Sequence, residues 1–365
     1  MTAAGDAEEV VLEIAGREVV ITRPDKVFFA KRGETKLDLV RYYEAVAGPL
    51  IATMGGRPTL LQRFPDGAGG PNFFQKRVPA TAPRWLETTT VSTVNGTPST
   101  VMVPIDVAHV AWAVNIGCLG FHVWPTRAGA ASEGDPDPAA PSAGYRLAPL
   151  ERGPLADELR IDLDAPPDVD FAMVREGAHE VHALLGELGV QAWVKTTGRR
   201  GLHVYAHVEG GRWSSYDVRA AAVAVARELE RRRPDLLTAA WWKEERGRRV
   251  FVDFNQNAPH KTVFGAWSVR ARPGAQVSTP FAWEELETIE PDPLTIDTVP
   301  ARLAERGDPW AGMYDAPQPL EPLLDLYRAQ RGSGLLDAPW PPVYPKMPDE
   351  PPRVAPSRAR GSAAS

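Results

Sequence analysis

Two periodicities divide the chain before any single residue type is considered. Residues 10–22 (VVLEIAGREVVIT) alternate apolar and polar positions on either side of Gly16, the pattern of a hairpin with one face on a core. Over 36–54 the residues Leu39, Val40, Tyr43, Val46, Ala47, Leu50 and Met54 recur at helical spacing, which predicts one amphipathic helix. Residues 58–64 read as a strand, and 88–105 as a second hairpin turning at Asn95-Gly96, a pair that tolerates positive φ. Asp106 then caps an apolar helix running to about Leu119.

The stretch 127–143 (RAGAASEGDPDPAAPSA) has no hydrophobic period and reads as a flexible surface insertion. It is not a domain boundary, because the elements on either side carry parts of one candidate site. Beyond it the patterns predict a strand (159–164), a helix (171–188), two strands around a Gly-rich turn (191–195 and 202–208), a helix (216–232) and a strand (249–254). The expected organisation is one α+β domain over 10–335, with a disordered N-terminus (1–9). The Pro-rich stretch 336–365 is expected to be a disordered tail, with too little apolar surface to order itself.

Composition narrows the class. A chain with 43% hydrophobic and 24% charged residues is ordinary for a globular protein. No apolar run reaches the roughly 18 residues of a membrane span, and the acidic start MTAAGDAEEV lacks a secretory pattern, so a cytoplasmic location is expected. Cys118 is the only cysteine, which excludes disulfides within the chain and multi-cysteine zinc centres; in AWAVNIGCLGF it reads as a small buried hydrophobe. The net charge of −6 speaks against a uniformly basic surface, but the cations are bunched at 26–36, 199–200 and 246–249. Phosphate contacts need only a few placed Lys or Arg, and a metal-binding carboxylate cluster would itself lower the net charge.

Candidate chemistry begins with Arg160-Ile161-Asp162-Leu163-Asp164. On a strand Ile161 and Leu163 face the core while Asp162 and Asp164 share the other side, about 7 Å apart at strand rise. Two like charges there call for compensation, and a divalent cation supplies it. Val250-Phe251-Val252-Asp253-Phe254 repeats the logic with Asp253 as its only charge. Three carboxylates from two strands suit two Mg²⁺ or Mn²⁺ ions and in-line phosphoryl transfer. The spacing also fits a two-metal nuclease, or an exposed strand end beside a salt-bridged Asp253. In Lys195-Thr196-Thr197-Gly198-Arg199-Arg200-Gly201-Leu202-His203, two glycines let backbone amides approach an anion and two arginines add bidentate donors. Taken alone, this is equally a basic hairpin turn in solvent. It is not a Walker loop, because the GxxxxGK[ST] spacing is absent.

The series IDLD, KTTGRRGLHVY, VFVDFNQN and WSVRARPGAQVSTPFAWEEL, in unbroken order over roughly 10–290, resembles the archaeo-eukaryotic primase superfamily. Within it the series is closest to the polymerase module of bacterial DNA ligase D and its free-standing relatives. The resemblance implies a primase-polymerase core with mixed and antiparallel sheets flanked by helices. It implies addition of rNTPs or dNTPs to 3′-ends at gapped, nicked or broken DNA. Asp162, Asp164 and Asp253 match the metal-binding catalytic carboxylates, with two Mn²⁺ or Mg²⁺ ions and no zinc. Thr197, Arg200, Gly201 and His203, with Arg199 in the same turn, match the contacts to the incoming nucleotide. Gln256 and Arg270 match those that hold its triphosphate, and His122 in LGFHVW the histidine near the sugar and primer end.

Phe73-Phe74, with Lys76 beside them, resemble the pair on which the template base stacks, against the plain alternative of core packing. Lys26 and Lys36 resemble the pocket that grips a downstream 5′-phosphate; without the resemblance they would be solvated surface. Three departures stand out: Arg23 where the family has Asn, Thr197 and Arg200 where it has Ser and Lys, and Gln62 at a basic position. No KxDG nucleotidyl-lysine motif occurs, so strand joining is expected to need a separate ATP-dependent ligase. Association with the bacterial nucleoid and a Ku partner follow from the resemblance alone. A catalytically weak DNA-end-binding adaptor and a two-metal nuclease remain as rivals.

Overall fold

The computed structural model describes residues 9–91, 97–128, 154–347 and 349–353. Alternation at the N-terminus becomes the hairpin β1 (Glu9–Ile14) and β2 (Arg17–Thr22), turning through Ala15 and Gly16 at positive φ. A short pair follows, β3 (Val27–Phe29) with β4 (Glu34–Thr35). The single helix expected over 36–54 is two, α1 (Lys36–Ala45) and α2 (Ala47–Met54). Pro49 accounts for the break: it has no N–H to donate, and its ring would collide with the carbonyl of Ala45 four residues back. The apolar stripe survives the restart, since Leu39, Val40, Tyr43, Val46, Leu50 and Met54 are all buried.

The chain then builds β5 (Thr59–Arg63), β6 (Phe73–Gln75), β7 (Thr88–Val91) and β8 (Ser99–Met102), and α3 (Val107–Asn115). Asp106 caps α3 as expected, accepting from the Ala108 and His109 amides. The helix stops short of Leu119, because Gly117 turns the chain at φ +91° and Cys118 opens a strand, β9 (Cys118–Val123). With β15 (Val263–Phe264) these form one sheet of order β15-β9-β5-β8-β7, with β6 against β5.

The second sheet carries the carboxylates. Its order is β13 (Leu237–Thr238), β14 (Val250–Asp253), β10 (Glu158–Asp164), β12 (Leu202–His207), β11 (Trp193–Thr196) and β16 (Pro280–Phe281), antiparallel except between β13 and β14. Helices α4 (Phe171–Glu187) and α5 (Ser215–Arg232) lie against one face, where Ile161, Leu163, Val250 and Val252 are buried. The fit is close: a Cβ on Gly177 of α4 would come within 3.0 Å of Leu237. Arg160, Asp162, Asp164, His203 and Asp253 are left to the other face, as the alternation requires. Mixed sheets flanked by helices make the fold α+β, as expected.

A buried ion network joins the two sheets at the start of β10. Arg57, fully buried, forks onto Asp157 at 2.5 and 2.9 Å and reaches Glu158 at 2.9 Å. Arg160 bonds Glu158 at 2.6 Å and donates to the Val123 and Trp124 carbonyls at 2.7 and 3.0 Å. Charges this deep persist only when every donor finds an acceptor. The result fixes β10 against the end of β9.

After β14 come helices α7 (Thr298–Arg306) and α8 (Glu321–Gly332), while the short α6 (Lys243–Arg246) precedes it. The Pro-rich stretch expected to be disordered from 336 instead packs on the domain in its described residues, 336–347 and 349–353. Trp340 and Tyr344 are buried beside Tyr216 and Ala258. These two aromatics supply the apolar area that a count of prolines hides. Residues 1–8, the Asn95-Gly96 turn, the insertion from 129 and residues 354–365 lie outside the described residues.

Candidate active site

Asp162 and Asp253 are register partners across β10 and β14, and Asp162 meets His203 in the same way across β10 and β12. Asp164, two residues on, is on the same face and exposed. The three aspartates therefore share one face of two adjacent interior strands. Burial raises Asp162 to about 6. Burial, and then the charge of Asp162, raise Asp253 to about 6 as well. Asp164 is raised by burial and by Asp162, while Arg246, Lys243 and Arg200 pull the other way.

Asp253 and Asp162 have neutral partners. The Asp253 Oδ1 accepts from the Asn255 amide and its Oδ2 from Gln256 Nε2, both at 2.9 Å. The Nε2 of His203 lies 3.3 Å from Asp162, and burial keeps that ring well below the usual histidine range, so it is a neutral partner. Among the described residues none of the three aspartates is ion-paired with a lysine or arginine. Nor do three His, Cys, Asp or Glu donors form a closed ligand set there. Oxygen donors with raised proton affinity fit hard divalent cations, which take carboxylates in preference to nitrogen or sulfur.

The Gly-rich turn is built inward around Thr197. Its Oγ1 accepts from the Arg199 and Gly201 amides at 3.3 Å, and its carbonyl accepts from Arg270 Nε at 2.7 Å. Gly198 stands at φ +70°, where a Cβ would lie 2.8 Å from Arg270 Cγ; on Gly201 it would lie 2.5 Å from the Leu163 carbonyl oxygen. The turn thus presses on the strand of Asp162 and Asp164. Arg199 and Arg200 are exposed at its tip. Arg270 stacks over Phe264, with 3.5 Å from guanidinium carbon to ring centre; burial, and then Arg199, lower it to about 9. Gln256, expected on a triphosphate, donates to Asp253.

His122 sits edge-on between Phe74 and Phe264, each 5.2 Å away, with Nε2 buried and unpartnered. Burial, then Arg270, His203 and Lys195, push it down to about 3, so it is a neutral imidazole. Phe73 and Phe74 are both about half exposed, at 47% and 54%, which rules out core packing for either. Lys76 is exposed beside them.

The two pocket lysines differ. Lys26 donates to the Pro65 carbonyl and lies 3.5 Å from Asp66. Lys36 is 3% exposed, with its ammonium on the carbonyl of Thr22 and on both oxygens of Asn115, and burial, Arg23 and Lys26 lower it to about 8. Arg23, beside them, occupies the left-handed region at φ 50°, where Asn is the more comfortable residue.

Two residues on the site face carried no assignment from sequence. Lys195 is fully buried and donates to the Phe264 carbonyl at 3.0 Å and Ser278 Oγ at 2.7 Å, tying β11 to β15. Its place opposite His203 in the hairpin register was the available signal. Arg246 stacks over Phe251 at 3.5 Å and feels the charges of Asp253 and Asp164. It was one of a run of cations with nothing to single it out.

Comparison with known proteins follows the same lines. Residues 35–310 match the family model of the LigD primase-polymerase domain. The multifunctional non-homologous end joining protein LigD of Mycolicibacterium smegmatis is 32% identical over 328 residues, 90% of this chain and 40% of that protein. LigD of Mycobacterium tuberculosis H37Rv is 33% identical over 329 residues, 90% of this chain and 41% of that protein. The chain therefore spans about 40% of the length of these relatives. The solved polymerase domain of M. tuberculosis ligase D in complex with DNA superposes with a TM-score of 0.71 at 32% identity. That alignment covers 82% of this chain and 99% of that one.

Proposed function

The chain belongs to the LigD primase-polymerase domain family, and from that premise we propose that it extends DNA 3′-ends as a template-directed nucleotidyltransferase in repair. The observation that carries the reading is the cross-strand pair Asp162–Asp253, bordered by the Thr197–Gly201 turn and Arg270. Oxygen attack on the α-phosphorus forms one P–O bond and breaks another, with pyrophosphate leaving. Asp162, Asp164 and Asp253 would hold Mn²⁺ or Mg²⁺, which supplies charge neutralisation at the entering and leaving oxygens. The protein's own part is placement. Arg199, Arg200 and Arg270 offer cationic donors for a triphosphate, and His122 and His203 stay neutral beside them.

Phe73 and Phe74 stack a template base, and Lys26 approaches a downstream 5′-phosphate. The substrate is gapped, nicked or broken-end DNA, with a Ku-like protein and a ligase as partners. Primer extension on a gapped duplex tests this, comparing rNTP with dNTP, Mn²⁺ with Mg²⁺, and phosphorylated with unphosphorylated downstream strands. Asp162→Ala should abolish extension while DNA binding survives; a folded mutant that still extends would refute the assignment. An end-binding adaptor predicts no extension by the wild type, and a nuclease predicts primer shortening without nucleotides.

A further inference from the structure

The turn that follows Asp253 is anchored at two points. On one side Asn257 exchanges hydrogen bonds with the backbone of Arg160, accepting from its N–H at 2.9 Å and donating to its carbonyl at 2.7 Å. That ties the turn to the strand of Asp162. On the other side Asn255, whose amide holds Asp253 Oδ1, points its side chain away from the site. Its Oδ1 accepts from Arg219 Nε at 2.8 Å and its Nδ2 donates to the Pro339 carbonyl at 2.9 Å.

Arg219 is a buried guanidinium on α5, and the C-terminal segment provides most of its surroundings. It donates to the Ala338 and Pro339 carbonyls at 2.9 and 3.2 Å, pairs with Asp337 at 3.3 Å and stacks over Trp340 at 3.8 Å. The segment is itself fixed: Trp340 bonds Asp337 and Glu350, Glu350 pairs with Arg353, and Tyr344 donates to the Pro259 carbonyl. Withdraw it, and Arg219 keeps only Asn255 among these acceptors while Asn255 loses Pro339. A buried charge left without partners is costly, so the neighbouring turn would rearrange.

We propose that residues 337–347 act as a strap that positions Asp253 through Arg219 and Asn255, making divalent-ion affinity depend on a segment beyond the family-matched residues 35–310. Asn255, Arg219 and Trp340 are positioning residues, acting through the Asp253 carboxylate. The inference rests on the proposed metal role of Asp253. Outer-shell partners of metal ligands typically govern affinity by about 10- to 100-fold; a contact one bond further out should govern less.

The test uses the full chain carrying Asn255→Ala or Trp340→Leu; the second keeps an apolar side chain and removes both the cation–π contact to Arg219 and the indole bond to Asp337. Mn²⁺ affinity is read without DNA or nucleotide, from the electron paramagnetic resonance signal of free Mn²⁺, and thermal melting is followed in parallel. Expected is a weakening of Mn²⁺ binding of about three- to tenfold in each single variant. The double variant should be no weaker than the worse single one, because both act along one path. Extension at saturating Mn²⁺ should recover to within about twofold of wild type, with KM for nucleotide unchanged. Unchanged Mn²⁺ affinity in a folded variant, with only melting lowered, would overturn the strap and leave the catalytic reading intact. A wild type that neither binds Mn²⁺ nor extends a primer would overturn both.

Discussion

Asp162 and Asp253 face each other on adjacent antiparallel strands and, among the described residues, have neutral partners, His203 on one and Gln256 on the other. Directly opposed like charges destabilise a sheet, so this pair is a cost to the metal-free fold that an ion would relieve. Replacing Asp253 by Asn removes one charge and keeps the shape. The expected outcome is loss of extension by at least about 10³-fold, with the metal-free protein stabilised by about 1–2 kcal/mol at pH 7.5. Activity assays beside calorimetry in EDTA decide it. Lower stability together with lost activity would mean that the pair is not repulsive.

The same two groups set a pH dependence. Both titrate near 6 in the folded chain against 3.8 ordinarily, so between those values the folded state holds protons that the unfolded chain releases. Stability contributed by this pair is therefore fully present below about pH 4, is lost as pH rises from there through 6, and levels off above it. Divalent cations need the ionised form, so their stabilising effect runs the other way. Melting measured from pH 5 to 8 should show a gap between Mn²⁺ and EDTA samples that widens steeply around pH 6. In Asp253→Asn that gap should flatten.

The alternation of IDLD and VFVD was enough to place three aspartates on one sheet face, because a strand leaves only two directions for a side chain. What escaped was decided by partners distant in sequence. The strand Cys118–Val123 was hidden because AWAVNIGCLGF is apolar on both sides of Asn115, and Gly117 marks where helix gives way to strand. Lys195 reads as an ordinary strand-end lysine until Ser278 and the Phe264 carbonyl close over it. Trp340 sits among prolines that suggest a tail, and its order comes from Arg219, more than a hundred residues earlier.

Thr197 holds two amides of the Gly-rich turn through one oxygen. Thr197→Val keeps the volume and deletes the acceptor, so the turn should open, raising KM for nucleotide about tenfold and lowering stability by about 1–2 kcal/mol. Thr197→Ser, which retains the oxygen, should stay within about twofold of wild type. Steady-state kinetics on one gapped substrate separate the two; equal behaviour of Val and Ser would show that the hydroxyl has no part in shaping the turn.

Lys26 and Lys36 should respond differently to mutation. Lys36 already spends its ammonium on Thr22 and Asn115, so Lys36→Met should chiefly lower stability, by about 1–3 kcal/mol, through stranded acceptors. Lys26 is the more available cation, and Lys26→Ala should reduce the preference for a phosphorylated gap about five- to tenfold without a large change in melting. Binding to paired gaps with and without the phosphate gives both numbers. A Lys36→Met protein of unchanged stability that loses the preference would reverse the assignment.

Phe73 and Phe74 are neighbours on β6, yet both are open to solvent, an arrangement with an apolar cost that a bound base would recover. They differ in what stands behind them. Arg63 lies 5.2 Å from the Phe73 ring, and Phe74 meets His122 edge-on at the same distance. Loss of Phe74 should thus disturb His122 as well as template stacking, whereas loss of Phe73 touches stacking alone. Alanine at either position should weaken binding of gapped DNA by about 1–3 kcal/mol per stacked base. Only Phe74→Ala should also alter discrimination between rNTP and dNTP, because His122 is the histidine expected near the sugar. Fluorescence titration with gapped DNA, followed by competition between the two nucleotide classes, measures the two effects separately. Equal changes in discrimination from both variants would break the link between Phe74 and His122.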